Sequence, residues 1–309
     1  MTTLAEPRAR RREGGLRRMT LRIEPYAYTA PALVLICAVM LVPLVIGLSY
    51  AFRDITLLDP MSGDFVGLDH FRDIWNDPNF WNALRNTVVW TVASVVLQFG
   101  LGLGLALLLN RPCPGRGLIQ ALVFLPWAVP TFLSGLNWAW LFNPVVGPIP
   151  HWLYGLGLVA APNNILSDPA HALWGPITAS VWWGVPFFAI TLLAALQSIP
   201  ADIYEAAAID GAGAFERFRS ITVPFLAPTV AITVMLRTVW IANSADLIVV
   251  MTRGGPADST QILASYIFTQ AFQRLDFGYA SALAAVLLVL LLVYAMSIVA
   301  LRRTLIRSL

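Results

Sequence analysis

Five stretches of this chain contain no aspartate, glutamate, lysine or arginine: 27–52, 86–110, 117–167, 169–201 and 277–301. A soluble fold of this size cannot clothe its surface with charge so sparse and so segregated. Lipid offers no partner to a backbone N–H or C=O, so a chain crossing it must close its own hydrogen bonds, in practice as helices. Crossing a hydrocarbon core of about 30 Å takes about 20 helical residues. The spacing therefore predicts helices near 27–52, 87–109, 118–142, 172–196 and 277–301. A sixth falls near 228–250, apolar except for Arg237 and Asp246. Composition agrees, with 58% of residues hydrophobic and 12% charged, where soluble domains carry about 25% charge. The expected fold class is all-α: a polytopic membrane protein of six transmembrane helices. A membrane domain over 27–301 would lie between a basic tail, 1–26, and a short tail, 302–309.

The run 117–167 is too long for one crossing. After Phe142 it breaks at Asn143-Pro144 and holds Gly147, Pro148, Pro150 and Asn163-Asn164, the signature of a loop with short interfacial turns. Pro43, Pro126, Pro130 and Pro186 fall inside spans. They imply kinked helices that enclose something, with the freed carbonyls satisfied by neighbours.

Orientation follows from arginine in the connections. Arg8, Arg10, Arg11, Arg12, Arg17, Arg18 and Arg22 crowd the N-terminal tail, and Arg302, Arg303 and Arg307 the C-terminal one. Arg111 and Arg116 mark the 110–117 turn, whereas the 53–86 connection carries Asp54, Asp59, Asp64, Asp69, Asp73 and Asp77. Both termini are expected in the cytoplasm, as an even number of spans requires.

Several functions are disfavoured by what the chain lacks. All 20 basic residues are arginine. A Walker A loop needs a lysine to reach the β- and γ-phosphates, so any ATPase must be another protein. Cys37 and Cys113 are far apart, and His70, His151 and His171 show no zinc-ligand spacing. No cofactor is expected on this chain, and nothing calls for a nucleic-acid partner. An intramembrane enzyme would need a nucleophile–base or metal-ligand constellation within the spans, and none is visible. A secondary transporter would usually show internal repeats, interrupted helices and midplane ion-coupling groups; no convincing repeat is visible, and the acidic residues here sit in loops except Asp246.

The segment 197–227 is long for a passive link, since helix–helix connections usually run about 2–8 residues. It reads as a helix–turn–helix. Pro200 opens a helical stretch through Ala206, Ala207 and Ala208, and Gly211 and Gly213 supply a turn. Phe215, Phe218 and Ile221 then recur on one face of a second short helix before Pro224 and Pro228. Small residues on the first arm permit close approach to a groove on another protein. The other reading is an amphipathic helix on lipid headgroups. Four acids (Asp202, Glu205, Asp210, Glu216) against two arginines make that a poor ligand for anionic lipid.

Glu205-Ala206-Ala207, Asp210-Gly211-Ala212, Phe218, Ile221 and Pro224 resemble the EAA loop of binding-protein-dependent ABC importer permeases. Val223, where that family usually has leucine, is the departure. Two further runs are similar to the carbohydrate-uptake branch, which takes up maltose, trehalose or glycerol phosphate. One is Phe65-Val66-Gly67-Leu68 through Asp77-Pro78-Asn79-Phe80 to Asn86-Thr87. The other is Asp246-Leu247-Ile248, Thr252, Gly254-Gly255-Pro256, Thr260 and Ala271-Phe272. The resemblance covers about 26–302 and implies a multi-pass permease of a bacterial inner membrane that takes a sugar or polyol across by alternating access. It implies as partners a second, homologous permease, two copies of an ATPase that binds ATP and Mg, an extracytoplasmic solute-binding protein, and membrane lipid. Carried over, Glu205, Ala206, Ala207, Asp210 and Gly211 would form the coupling contact with the ATPase.

Charges inside a membrane usually face a cavity or a partner. On a helical wheel Arg237, Trp240 and Ser244 share one side, with Asn243 and Asp246 displaced round it. This broad face is the candidate lining of a solute path. Asn243 and Trp240 are the foremost sugar contacts, offering amide hydrogen bonds and an aromatic face for sugar C–H surfaces. Asn137 and the Trp182-Trp183 pair are weaker candidates. The alternative for Arg237 and Asp246 is that they hold two permeases together. Ala242 and Ala245 stand where the family often has aromatics, which would widen the cavity for a disaccharide or larger solute.

Overall fold

In a computed structural model the described residues are 28–57, 63–112, 114–162 and 164–307, with side chains up to residue 300. The arginines of the N-terminal tail, Asp59 and Cys113 lie outside them, as do the side chains of Arg302, Arg303 and Arg307. The described residues are dominated by helices. Five are long and apolar enough to cross a membrane, and a sixth crossing exists if one sharply bent pair counts as a span.

The first crossing, α1, is Tyr28–Tyr50, with a π-helical turn over Cys37–Leu41 just before Pro43. None of its apolar window is buried against the rest of the chain, so its surface is left for lipid or another protein. A short amphipathic α2 (Asp69–Asn76) leads into α3 (Pro78–Leu109). This second crossing starts nine residues before its expected boundary. The Asp77 carboxylate caps the Asn79 N–H at 2.9 Å, and Pro78 occupies the first turn, where its missing N–H costs nothing. At 32 residues the helix is about 48 Å long, so its start stands clear of the membrane core.

The expected helix 118–142 is instead two: α4 (Arg116–Ala128) and α5 (Thr131–Leu141), bent by 92°. Pro130 has no N–H to give back to the preceding turn, and it pushes Val129 into extended backbone, φ −79° and ψ 127°. After α6 (Pro148–Gly155) and a single turn at Asn164–Ser167 comes α7 (Trp174–Gln197), the most buried crossing. Pro186 lies inside α7 without ending it. Gly102 of α3 lies against Phe188 and the backbone of α7, and a Cβ there would collide with both. With Ala106, Ala179 and Ala189 fully covered, small residues bring these two long helices together as membrane helices characteristically pack.

The 197–227 segment forms α8 (Ala201–Ile209), turns at Gly211 with φ +84°, and resumes as α9 (Ala214–Arg217). Here the structure corrects the expected second short helix. A π-helical turn over Phe218–Thr222 joins α9 without interruption to α10 (Val223–Ala242). Phe215 is 76% exposed while Ile221 is buried, so the expected apolar stripe does not form as one face. The fifth crossing is also not continuous to residue 250: it stops at Ala242 and restarts as α11 (Asp246–Met251). After α12 (Leu263–Phe272), α13 (Phe277–Arg307) runs six residues past its expected end.

Two cores hold the bundle. The larger joins α3, α7, α10 and α11 around Trp90, Phe188, Leu192 and Ile248. The smaller joins α2, the start of α3, α12 and α13 around Phe80, Leu263, Tyr266 and Leu283. The second core gathers the connections 53–86 and 251–276 at one end of the bundle. There the hydroxyls of Tyr266 and Tyr279 both donate to Oδ2 of Asp77, at 2.6 and 2.9 Å. The Asn86 amide donates to the carbonyls of Ser259 and Gln261. The 168–174 turn joins them, sharing a polar cleft with Asn82, Arg85 and Ser259. Three connections expected on one side of the membrane thus meet at one end.

Candidate functional site

The bend between α4 and α5 and the gap between α10 and α11 face each other across a cavity of about 260 Å³. Breaking a helix frees carbonyls that lipid cannot satisfy, and a tryptophan N–H bonds a carbonyl beside each break, that of Ile241 together with the Ser244 N–H. Trp183 of α7 donates to the carbonyl of Val129 at 2.8 Å, at the α4–α5 bend. Trp90 of α3 donates to the carbonyl of Ile241 at 3.1 Å, at the end of α10. The two half-helices are also tied together: Thr131, first residue of α5, donates to Oδ2 of Asp246, first residue of α11, at 2.9 Å. Asp246 there faces the positive end of its helix dipole. Behind this bond Gly135 lets α5 close on Val250 and Leu247.

Arg237 reaches the cavity from α10 with a relative exposure of 1%. Its Nε donates to Oε1 of Gln98 at 2.7 Å, and the Gln98 amide donates to the Ser180 carbonyl at 2.9 Å and to its hydroxyl at 3.1 Å. Gly184 makes room for this relay, since a Cβ there would run into both Gln98 and the guanidinium. The guanidinium carbon lies 5.0, 5.2 and 5.6 Å from the ring centres of Trp183, Trp240 and Phe187. Each such contact is worth about 0.5–2 kcal/mol, the more when dry. Nη1 has no acceptor.

Of the residues singled out in the sequence, the structure brings Arg237, Trp240, Ser244 and Asp246 onto this cavity. Asn243 is elsewhere. It is the C-cap of α10 and lines a second, mostly aliphatic cavity of about 380 Å³ with Ile267, Leu287 and Leu291. Asn243 keeps the helical bond to Val239 and shares that residue's side, so the wheel face was drawn too broad; the break after Ala242 instead brings Asp246 round to the cavity. Of the tryptophan pair, Trp183 lines the site, while Trp182 meets Trp138 edge-on and is 40% exposed. Asn137 is exposed on α5. Gln98, Ser180, Trp90 and Thr131 were not foreseen. Gln98 did carry a signal, as a lone amide deep in the apolar run 87–109.

The EAA-type residues form a protruding knob. Glu205, Ala206, Asp210 and Gly211 are exposed, while Ile203, Tyr204 and Ala207 pack back onto the larger core. Tyr204 bonds the Thr222 hydroxyl at 2.9 Å, which fixes α8 to the π-helical turn. At the turn Ile209 is 87% exposed. Among the described residues no group of three His, Cys, Asp or Glu is placed to hold a metal ion.

Residues 80–307 match the family described as "Binding-protein-dependent transport system inner membrane component". The chain is 39% identical over 240 residues to the trehalose/maltose transport system permease protein MalF of Thermococcus litoralis, covering 78% of this chain and 80% of that one. It is 35% identical to the sulfoquinovosyl glycerol transport system permease protein SmoG of Agrobacterium fabrum, with 84% of each covered. To the sn-glycerol-3-phosphate transport system permease protein UgpA of the same organism it is 30% identical, over 88% and 92%. Among solved structures, a chain of a bacterial ABC transporter importing the acidic polysaccharide alginate superposes with TM-score 0.78 at 24% identity, over 94% and 98% of the two chains. That likeness establishes the shared fold.

Proposed function

The chain belongs to the family of binding-protein-dependent transport system inner membrane components, and on that premise we propose that it is one of two permease subunits of an ATP-driven sugar importer. The observation that carries this reading is the cavity between two helix discontinuities. Irregular backbone at membrane depth is tolerated where it lines a cavity or is buried in protein, and here it is stitched by tryptophans and lined by Arg237, Trp240, Ser244 and Asp246. Polar groups for hydroxyls beside aromatic faces for C–H surfaces suit a saccharide. This face is half of the translocation path, and the second permease supplies the other half.

The remaining roles follow from the ends of the bundle. The arginine bias places the α8 knob and both termini in the cytoplasm of a bacterial cell. Glu205, Ala206, Ala207, Asp210 and Gly211 dock into a groove of a separate ATPase, two copies of which bind ATP and Mg. The connections 53–86, 143–171 and 251–276 face outward and receive a solute-loaded binding protein. Closure of the ATPase pair draws on the α8 knob, and the continuous helix from Ala214 to Ala242 carries that movement to Arg237 and the cavity. The cavity then opens outward to take the sugar, and hydrolysis resets it inward.

Reconstitution tests the proposal. Tagged chain solubilised from its host should bring down an ATPase and a second permease, and proteoliposomes of that complex with binding protein should take up labelled sugar only with ATP. A chain that purifies alone and still transports without ATP would return it to the secondary transporters.

A further inference from the structure

Resting on the reading that this cavity seats the solute, we propose that the solute is an acidic sugar: a carbohydrate carrying a carboxylate, sulfonate or phosphate that Arg237 reads. The argument starts from an unbalanced charge. The two ion pairs among the described residues, Arg72 with Asp69 and His171 with Asp168, both lie in the outer connections, and no carboxylate pairs with Arg237. Its faces are covered by Trp183, Trp240 and Phe187, and its Nε is spent on Gln98. Rings and a neutral amide leave a full positive charge in a dry setting, with one donor atom, Nη1, unmatched. Buried charges are ordinarily paired, and a guanidinium's planar fork fits the oxygens of carboxylate or phosphate better than a lone hydroxyl.

The other groups on the cavity fit the rest of such a molecule. Asp246 has given Oδ2 to Thr131, and its Oδ1 can accept from a sugar hydroxyl. Trp240, 48% exposed, offers an indole face to ring C–H groups. Asp246 also disfavours an anion at its own end, so the acidic group is directed to Arg237 and the hydroxyls to Asp246. The site is polarised along its length.

The test uses the whole complex in nanodiscs, without binding protein, so that the cavity alone selects. Tryptophan fluorescence is titrated with glucosyl-glucose, the matched glucuronosyl-glucose, glucose 6-phosphate and inorganic phosphate. The expected result is at least about tenfold tighter binding of the acidic sugars than of the neutral disaccharide, which corresponds to about 1.4 kcal/mol. Inorganic phosphate should bind more weakly than either acidic sugar. R237Q should erase the preference, bringing the ratio of acidic to neutral affinity to about one, whatever it does to the two affinities themselves. If R237Q fails to assemble, R237K serves, keeping charge without the fork, and it should shrink the preference without abolishing it. Neutral sugar bound as tightly as acidic, or both weakened alike by the variant, would overturn the acidic solute while leaving the cavity as the solute's seat. Quenching by no saccharide, with uptake unchanged in W240A, would overturn the seat itself.

Discussion

At the cavity Arg237 is 1% exposed and held by a glutamine and three rings; at the α8 turn Ile209 is 87% and Phe215 76% exposed. The cavity is made by interrupting helices and repairing each interruption from within, with Trp90, Trp183 and Thr131 as the repairs. The knob is an ordinary helix–turn–helix whose outward side is left without cover. A site that works inside a membrane has to satisfy its own backbone, because lipid will not. A site that works by docking can leave apolar surface exposed for another protein to bury. The two regions should therefore fail differently, the knob by losing a partner with the chain intact, the cavity by losing the chain's own stability.

Glu205→Lys should have the largest effect of all on transport. Glu205 is exposed on α8, so reversal leaves the fold alone and, on the proposed coupling role, puts a cation in the contact with the ATPase. Such a reversal costs several kcal/mol at an interface, and about 4 kcal/mol is roughly a thousandfold in affinity. The ATPase should vanish from a pull-down while the second permease is retained. Loss of both permease and ATPase would mean that α8 supports the fold, and the contrast would collapse.

Gln98→Leu is the corresponding cut at the cavity. It removes the acceptor of Arg237 Nε and the partner of Ser180. Losing a hydrogen bond to a charged group costs about 1.5–3 kcal/mol. The variant should lower the unfolding midpoint of the purified complex and its yield, with ATPase still bound. An unchanged midpoint would show that the rings alone sustain the guanidinium.

The same division governs how much could be read beforehand. The crossings were legible because charge must be excluded over about 20 residues, and boundaries such as α7 fell within about two residues. The α8 helix and its turn were legible because the signal is local: Pro200, the alanine run and Gly211 lie within one turn–helix unit. The cavity was legible only along Arg237, Trp240, Ser244 and Asp246, because its other members come from α3, α4, α5 and α7 and meet these only in three dimensions. Pro130 announced a kink but not a bend of 92°. The gap at Asn243-Ser244-Ala245 has neither proline nor glycine to announce it, and Asn243, one turn after Val239, was read onto too broad a face.

Outside both regions, the clasp on Asp77 should respond to a smaller degree. Burial raises its carboxyl pKa, but the hydrogen bonds from Tyr266, Asn79 and Tyr279 outweigh that and hold it below the usual carboxylate range. A depressed folded pKa means the stabilisation is present above the unfolded value, about 3.9, and is lost as pH falls through the folded one. Tyr266 works in the opposite sense. Burial and then Asp77 push it up to about 12, so its share is present below about 10 and is lost as pH rises through 12. Asp77→Asn should cost about 1–3 kcal/mol, the scale for weakened buried hydrogen bonds, and should abolish the acid limb of a midpoint-against-pH curve. An acid limb that persists in the variant would assign it to another carboxylate.

Asn243→Ala should do least, and for that reason it discriminates best between the broad face read from the sequence and the narrower one in the structure. On the broad face Asn243 would stand beside Trp240 on the path, and losing its amide would weaken solute binding severalfold. In the structure it caps α10 through its backbone N–H, bonded to Val239 at 3.3 Å, which alanine keeps. Its side chain borders the aliphatic cavity next to α12 and α13. Uptake should then change by no more than about twofold, within the roughly 0.5 kcal/mol of a surface substitution. Trp240→Ala, one turn earlier and on the cavity, should cost tenfold or more by removal of an aromatic platform worth about 1.4 kcal/mol or above. Equal losses in the two variants would mean that α10 turns about its axis during transport, bringing Asn243 round to the solute.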